Sequence, residues 1–141
     1  MTTKEIQDQI VEEFSIFDDW MDRYQQLIDL GNELKSIDEK KRTDQHLIKG
    51  CQSKVWIDAE LINGKIQFEA DSDAIITKGI VALLIRVLND RTPQEIIDVD
   101  LFFIDKIGLK ENLSPTRSNG LVAMVKQMKL YGLAYQAREN G

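Results

Sequence analysis

Val55-Trp56-Ile57-Asp58-Ala59-Glu60-Leu61-Ile62-Asn63-Gly64-Lys65-Ile66-Gln67-Phe68-Glu69-Ala70-Asp71-Ser72, residues 55–72, decides the fold. Asn63-Gly64 is the signature of a two-residue type I′ turn, which needs positive φ at both positions. Pairing outward from it sets Leu61 opposite Ile66, Ala59 opposite Phe68 and Ile57 opposite Ala70. With Val55 these form one apolar face. Lys54, Trp56, Asp58, Glu60, Lys65, Gln67 and Glu69 form the other, and Trp56 alone breaks its polarity. One dry face and one wet face predict an antiparallel sheet lying on helices.

The helices stand on both sides of it. Residues 74–89, AIITKGIVALLIRVLN, are apolar nearly all round and predict a buried helix. Ser72 or Asp73 is placed to cap it. Upstream, Thr2-x-x-Glu5 is a capping box, and Ile6, Ile10, Phe14 and Phe17 follow at helical spacing. Phe17, Trp20, Met21, Tyr24, Leu27 and Ile28 continue the pattern as one bent helix or a second short one, with Gly31 as its stop. Residues 32–50 are polar and weakly periodic, which predicts an extended connector. Downstream, Thr92-Pro93-Gln94-Glu95 opens a short helix, and Leu101–Ile104 fits a strand or one helical turn. Ser114-Pro115 opens the last helix, with Leu121, Met124, Val125 and Met128 on its buried face. Helices flanking sequence-adjacent strands predict a compact α+β fold, and residues 1–141 show no internal break, so one domain is expected.

Charge and composition exclude several functions. The chain carries a net charge of −6, and residues 1–50 hold 12 acidic against 7 basic side chains. Without a Lys/Arg cluster, nucleic-acid binding is not expected. The longest apolar run, residues 80–85, is far too short to span a bilayer. The first residues carry acids and no apolar run, and the chain has one cysteine, so a reducing cytoplasm is the expected compartment. One Cys and one His cannot close a structural zinc site, nor hold an iron–sulfur cluster on this chain alone.

That cysteine, Cys51, sits in LIKGCQSKVW, residues 47–56, where the connector runs into the first strand. A free Cys is commonly a buried, inert apolar group. Its neighbours Gly50, Gln52, Ser53 and Lys54 suggest partial exposure, and Lys49 and Lys54 favour thiolate over thiol. The physics leaves both readings open. His46 lies five residues before it, either as a solvated loop histidine or as the base of a Cys–His pair; no orienting group or oxyanion hole marks a protease. Asp71-Ser72-Asp73 reads as helix capping or as a group near Cys51 and a partner. Arg117, at the start of the last helix, opposes the helix dipole and so is expected to have a partner or a job. The glycines do not make a phosphate loop.

Four segments together resemble the SufE family of sulfur-acceptor proteins. They are residues 47–56; Ala70-Asp71-Ser72-Asp73-Ala74 with Lys78-Gly79; Ser114-Pro115-Thr116-Arg117-Ser118-Asn119-Gly120-Leu121; and Trp20-Met21-Asp22-Arg23-Tyr24 with Leu27-Ile28 and Gly31. The resemblance implies a compact α+β fold shared with IscU scaffolds, though this chain lacks their three-cysteine set. It implies a carrier that takes sulfur from a PLP-dependent, SufS-type cysteine desulfurase onto Cys51 as a persulfide and stimulates that enzyme. Delivery to a SufB-containing scaffold for iron–sulfur cluster assembly would follow, with no cofactor of the carrier's own. On this resemblance His46, Lys49, Gly50, Gln52, Ser53, Asp71 and Asp73 are expected to meet the partner, and Arg117 to stand near the cysteine loop. A thiol redox protein using Cys51, or a non-catalytic binding module, are the competing readings. Oligomeric state stays open, with Trp56 as the candidate contact in a homodimer.

Overall fold

The turn at Asn63-Gly64 forms with φ of 52° and 80°, both in the left-handed region that a type I′ turn demands. The computed structural model, which describes residues 1–35, 37–48 and 53–140 with side chains through residue 138, pairs β1 (Val55–Ile62) with β2 (Lys65–Ser72). The register is the expected one: Leu61 opposite Ile66, Ala59 opposite Phe68, Ile57 opposite Ala70. Val55, Ile57, Ala59, Ile66, Phe68 and Ala70 are buried and Leu61 is half-buried, so the period-two pattern did select the inner face.

The helices are α1 (Thr3–Ser15), α2 (Trp20–Glu33), α3 (Ile75–Leu88), α4 (Pro93–Asp98), α5 (Phe103–Lys106), α6 (Leu109–Asn112) and α7 (Pro115–Asn140). The expected capping box of Thr2 with Glu5 forms, and Thr92 makes another with Glu95 where the short helix opens. The first helical pattern is two helices rather than one, because Asp19 caps a fresh start at Trp20 by accepting from the Met21 amide. Leu101–Ile104 is not a strand: Phe102 is the N-cap of α5, and Phe103 and Ile104 are its first residues.

α3 is the centre of the packing. It lies against α1, α2, β2 and α7, and Ile80, Val81, Leu83, Leu84, Val87 and Leu88 are all buried. Its contact with α2 corrects the expectation for Gly31. That glycine lies inside α2 and is buried, and a Cβ on it would stand 2.8 Å from the Gly79 amide nitrogen. A Cβ on Gly79 would fall 2.0 Å from the Leu27 carbonyl oxygen. The two glycines let the helix backbones touch, and neither is a stop.

Both edges of the hairpin are covered. Beyond β2, Ile66 donates to the Arg91 carbonyl (2.8 Å) and accepts from the Asp90 amide (2.9 Å). Beyond β1, the Tyr131 and Tyr135 hydroxyls of α7 donate to the Ile57 and Ala59 carbonyls (3.0 and 2.7 Å). An exposed strand edge invites pairing with another chain, and these contacts close it. Among the described residues, no helix is long and apolar enough to cross a membrane.

Candidate functional site

Cys51 lies outside the described residues, as do Lys49, Gly50 and Gln52. The chain on either side of them is described. On the N-terminal side, Leu47 bridges Trp56, the Ile48 amide donates to the Val55 carbonyl (2.8 Å) and the Ile57 amide donates to the His46 carbonyl (3.0 Å). Residues 46–48 thus run antiparallel beside the start of β1, so the connector ends in ordered pairing. On the C-terminal side, the Lys54 amide donates to Asp73 Oδ1 (3.0 Å). The Asp73 amide and the Ser72 hydroxyl both donate to the Lys54 carbonyl (3.2 and 2.9 Å). The stretch that carries Cys51 is therefore fastened at both ends, at the open end of the hairpin.

These bonds correct the capping expectation. The N-cap of α3 is Ala74, with no side-chain cap, and Ser72 and Asp73 turn back to Lys54 instead. Only the Ser72 hydroxyl also reaches forward, accepting from the Ala74 amide (3.1 Å). The supposed capping group and the cysteine segment meet at Lys54. Ser53 is half-buried beside it.

The polar face of the hairpin is partly covered, with Trp56 and Asp58 half-buried and Glu60, Lys65 and Glu69 still exposed. Residues 38–47 cross it, beginning with a 3-10 turn at Glu39–Lys41 whose cap Asp38 accepts from the Lys40 amide. Lys41 Nζ sits 3.0 Å from Asp58, 3.3 Å from Glu69 and 3.5 Å from Glu60. The hydrogen bond it donates to Asp58, then that to Glu69 and the charges of both, hold this ammonium protonated well above the usual lysine range despite partial desolvation. His46 places Nε2 3.3 Å from Asp58 Oδ1 and Nδ1 3.2 Å from the Thr43 hydroxyl. Its side chain is thus held against the sheet, not loose in solvent.

Arg42 pairs with Asp71, and its guanidinium stacks 5.5 Å from the centre of the Trp56 ring. Asp71 is 2% exposed; Lys78 Nζ of α3 approaches Oδ1 to 3.4 Å, and the Ser72 amide donates to the same oxygen (2.8 Å). Trp56 and Asp71 are register partners across the two strands. Sequence reasoning saw Trp56 as a bare aromatic on a wet face. Arg42 covers it, so it is half-buried within the fold.

Arg117 is exposed on the first turn of α7. Its amide donates to the Ser114 hydroxyl (3.3 Å), and its guanidinium makes no ion pair among the described residues. Further along α7, Ala123, Lys126, Gln127 and Leu130 line a groove of about 510 Å³ with Asp44, Gln45, Leu47 and Ile48. The groove borders the stretch that carries Cys51 and is lined by apolar and polar residues alike. The structure thus gathers His46, Ser53, Asp71 and Asp73 around the two arms of that stretch. Arg117 stands apart from them in its bonding.

An α+β fold whose cysteine-bearing stretch is anchored on either side at the open end of a hairpin defines a thiol-bearing domain. A solution structure of a hypothetical protein from Thermus thermophilus shares this fold, with a TM-score of 0.77 over 94% of this chain and 96% of that one at 20% identity. The chain belongs to the SufE family, whose description is "Fe-S metabolism associated domain" and which matches residues 8–132. Similar relatives are SufE-like proteins, themselves named as uncharacterised. One from Rhizobium etli is 43% identical over 86% of each chain. One from Synechocystis is 40% identical, covering 90% of this chain and 80% of its own. One from Rhizobium meliloti is 39% identical, covering 86% and 91%.

Proposed function

We propose that this protein is a sulfur carrier that accepts persulfide sulfur on Cys51 from a PLP-dependent cysteine desulfurase of the SufS type. The observation that carries the proposal is that a member of an Fe-S metabolism family has one cysteine, and that it lies in the segment most like the family's acceptor motif. In the transfer, the Cys51 thiolate attacks the outer sulfur of the donor's cysteine persulfide. A new S–S bond forms on Cys51, the donor's S–S bond breaks, and the donor thiolate leaves with the electron pair. No oxidant or reductant is consumed. A second cysteine nearby would release the sulfur by closing a disulfide, so a solitary thiol suits a carrier. Clearing the donor's persulfide also stimulates its turnover. The carrier then hands the sulfur to a SufB-containing scaffold that builds iron–sulfur clusters. The PLP belongs to the donor, and the carrier needs no cofactor.

Cys51→Ser tests this with almost no change in volume. Incubated with desulfurase and cysteine, the wild-type chain is expected to gain the mass of one sulfur atom and to speed turnover. The variant is expected to fold, bind the desulfurase, gain no sulfur and give no stimulation. Stimulation equal to wild type would replace the carrier mechanism with an allosteric one. Gain of oxygen under peroxide, without gain of sulfur, would favour a redox sensor.

A further inference from the structure

The most deeply buried charge at this end of the molecule is Asp71, at 2% exposure. Burying a carboxylate is costly, and an apolar group of the same size often serves stability as well or better. A charge retained in such a place fixes geometry. What Asp71 fixes is specific. Arg42 reaches it from the connector, at the root of the arm that leads through Leu47 and Ile48 into the Cys51 segment. Trp56 faces it from β1, where that segment ends, and lies under the same guanidinium. Lys78 reaches it from α3. The next two residues, Ser72 and Asp73, hold Lys54. The Asp71 carboxylate thus stands between the two arms, joined to the connector through Arg42, to the central helix through Lys78, and by chain adjacency to the residues that hold Lys54.

We infer that Asp71, through Arg42, is a positioning residue for the Cys51 thiol: it fixes the arms of the acceptor segment and so sets how productively the thiol meets its donor. The inference rests on the reading of Cys51 as the sulfur acceptor. It assigns Asp71 no contact with sulfur. Two features separate it from simple fold maintenance. The cation from the connector is an arginine, whose planar fork both pairs with a carboxylate and stacks on an indole, which a lysine does only in part. The Arg42 side chain is also 39% exposed, so the fold does not depend on burying it.

The test uses the full chain and three variants, Asp71→Asn, Arg42→Lys and Arg42→Gln. Three quantities are read: thermal unfolding, the rate at which iodoacetamide alkylates the sole thiol, and the single-turnover rate of sulfur transfer from persulfide-loaded desulfurase at saturation. Asp71→Asn is expected to raise alkylation severalfold, because loosened arms open more conformations to a small reagent. Transfer is expected to fall on the order of tenfold, less than the ~10²-fold that misplacing a reacting group by an ångström costs. Arg42→Lys should lie between wild type and Arg42→Gln in both rates. Unchanged alkylation and transfer in folded Asp71→Asn would overturn the inference. So would Arg42→Lys and Arg42→Gln behaving alike. If Asp71→Asn fails to fold, the Arg42 pair decides. Should alkylation respond while even the wild type takes up no sulfur, the positioning of the thiol stands and the acceptor reading fails.

Discussion

Arg117 is the residue whose chemistry runs most clearly against its place. A cation in the first turn of a helix faces the positive end of the macrodipole, at a cost of about 0.3–1 kcal/mol. Glu13 and Arg86 show what a structural arginine does in this chain: two hydrogen bonds, 2.9 and 2.5 Å, join α1 to α3. Burial and pairing mark Arg86, whereas Arg117 is exposed and unpaired by any carboxylate among the described residues. We propose that its charge serves an anionic group brought by a partner. Arg117→Ala is expected to leave the melting temperature unchanged or slightly raised and to lower sulfur transfer about tenfold, the effect of one lost charge-assisted hydrogen bond. Normal transfer with a lower melting temperature would make Arg117 structural. The conflict between arginine and dipole is written in the sequence, so this residue could be singled out there. The burial of Asp71 could not. Its partner Arg42 is 29 residues away, in a polar stretch without periodicity that reads as a plain connector. Nothing in such a stretch announces that it will cover the wet face of the hairpin.

Among the elements, the hairpin and the contact between α2 and α3 show why some features are legible and others are not. A type I′ turn admits few residues, and an alternating strand has one dry face, so Asn63-Gly64 and its flanks specify a register by local rules. A glycine near the end of a helical pattern is ambiguous. It serves as a C-terminal stop or as a place where two backbones meet, and only the partner helix distinguishes them. Gly31 is the second kind because Gly79, 48 positions later by their numbers, faces it. Likewise Ser72 and Asp73 satisfy the local rule for capping α3, yet Lys54 across the sheet end takes them. The same close approach gives a sharp expectation for Gly79→Ala. The methyl would stand 2.0 Å from the backbone oxygen of Leu27, which cannot swing aside as a side chain would. The helices must move apart, and about 3 kcal/mol of stability should be lost, read as a shift in the urea midpoint. Gly31→Ala should cost less, since its nearest contact is 2.8 Å. Equal tolerance of both would mean that α2 and α3 do not touch as described.

At the scale of the whole molecule, distant parts of the chain are linked both through the central helix and past it. α3 carries buried side chains toward α1, α2, β2 and α7. Polar links cross the same distances. The buried amide of Gln7 in α1 donates to the Asp100 carbonyl (3.1 Å) and accepts from the Phe103 amide (3.2 Å), so it supplies the start of α5 with a partner that its own sequence lacks. Tyr24 of α2 donates to the Asn112 carbonyl at the end of α6. We propose on this basis that residues 1–141 unfold as one cooperative unit, as expected for a single domain of this length. The two tryptophans offer separate reporters. Trp20 packs on Tyr24 at 5.4 Å in α2, and Trp56 lies under Arg42 on the outer face of the hairpin. Single-tryptophan chains, Trp56→Phe reporting from α2 and Trp20→Phe from the hairpin, are to be unfolded in urea beside far-UV circular dichroism. Within each variant, the fluorescence and dichroism midpoints are expected to coincide. A hairpin signal that melts well before the helices would show that residues 38–72 open by themselves. The cysteine segment would then be governed by that local opening and not by the stability of the whole, and the single-unit proposal would fall.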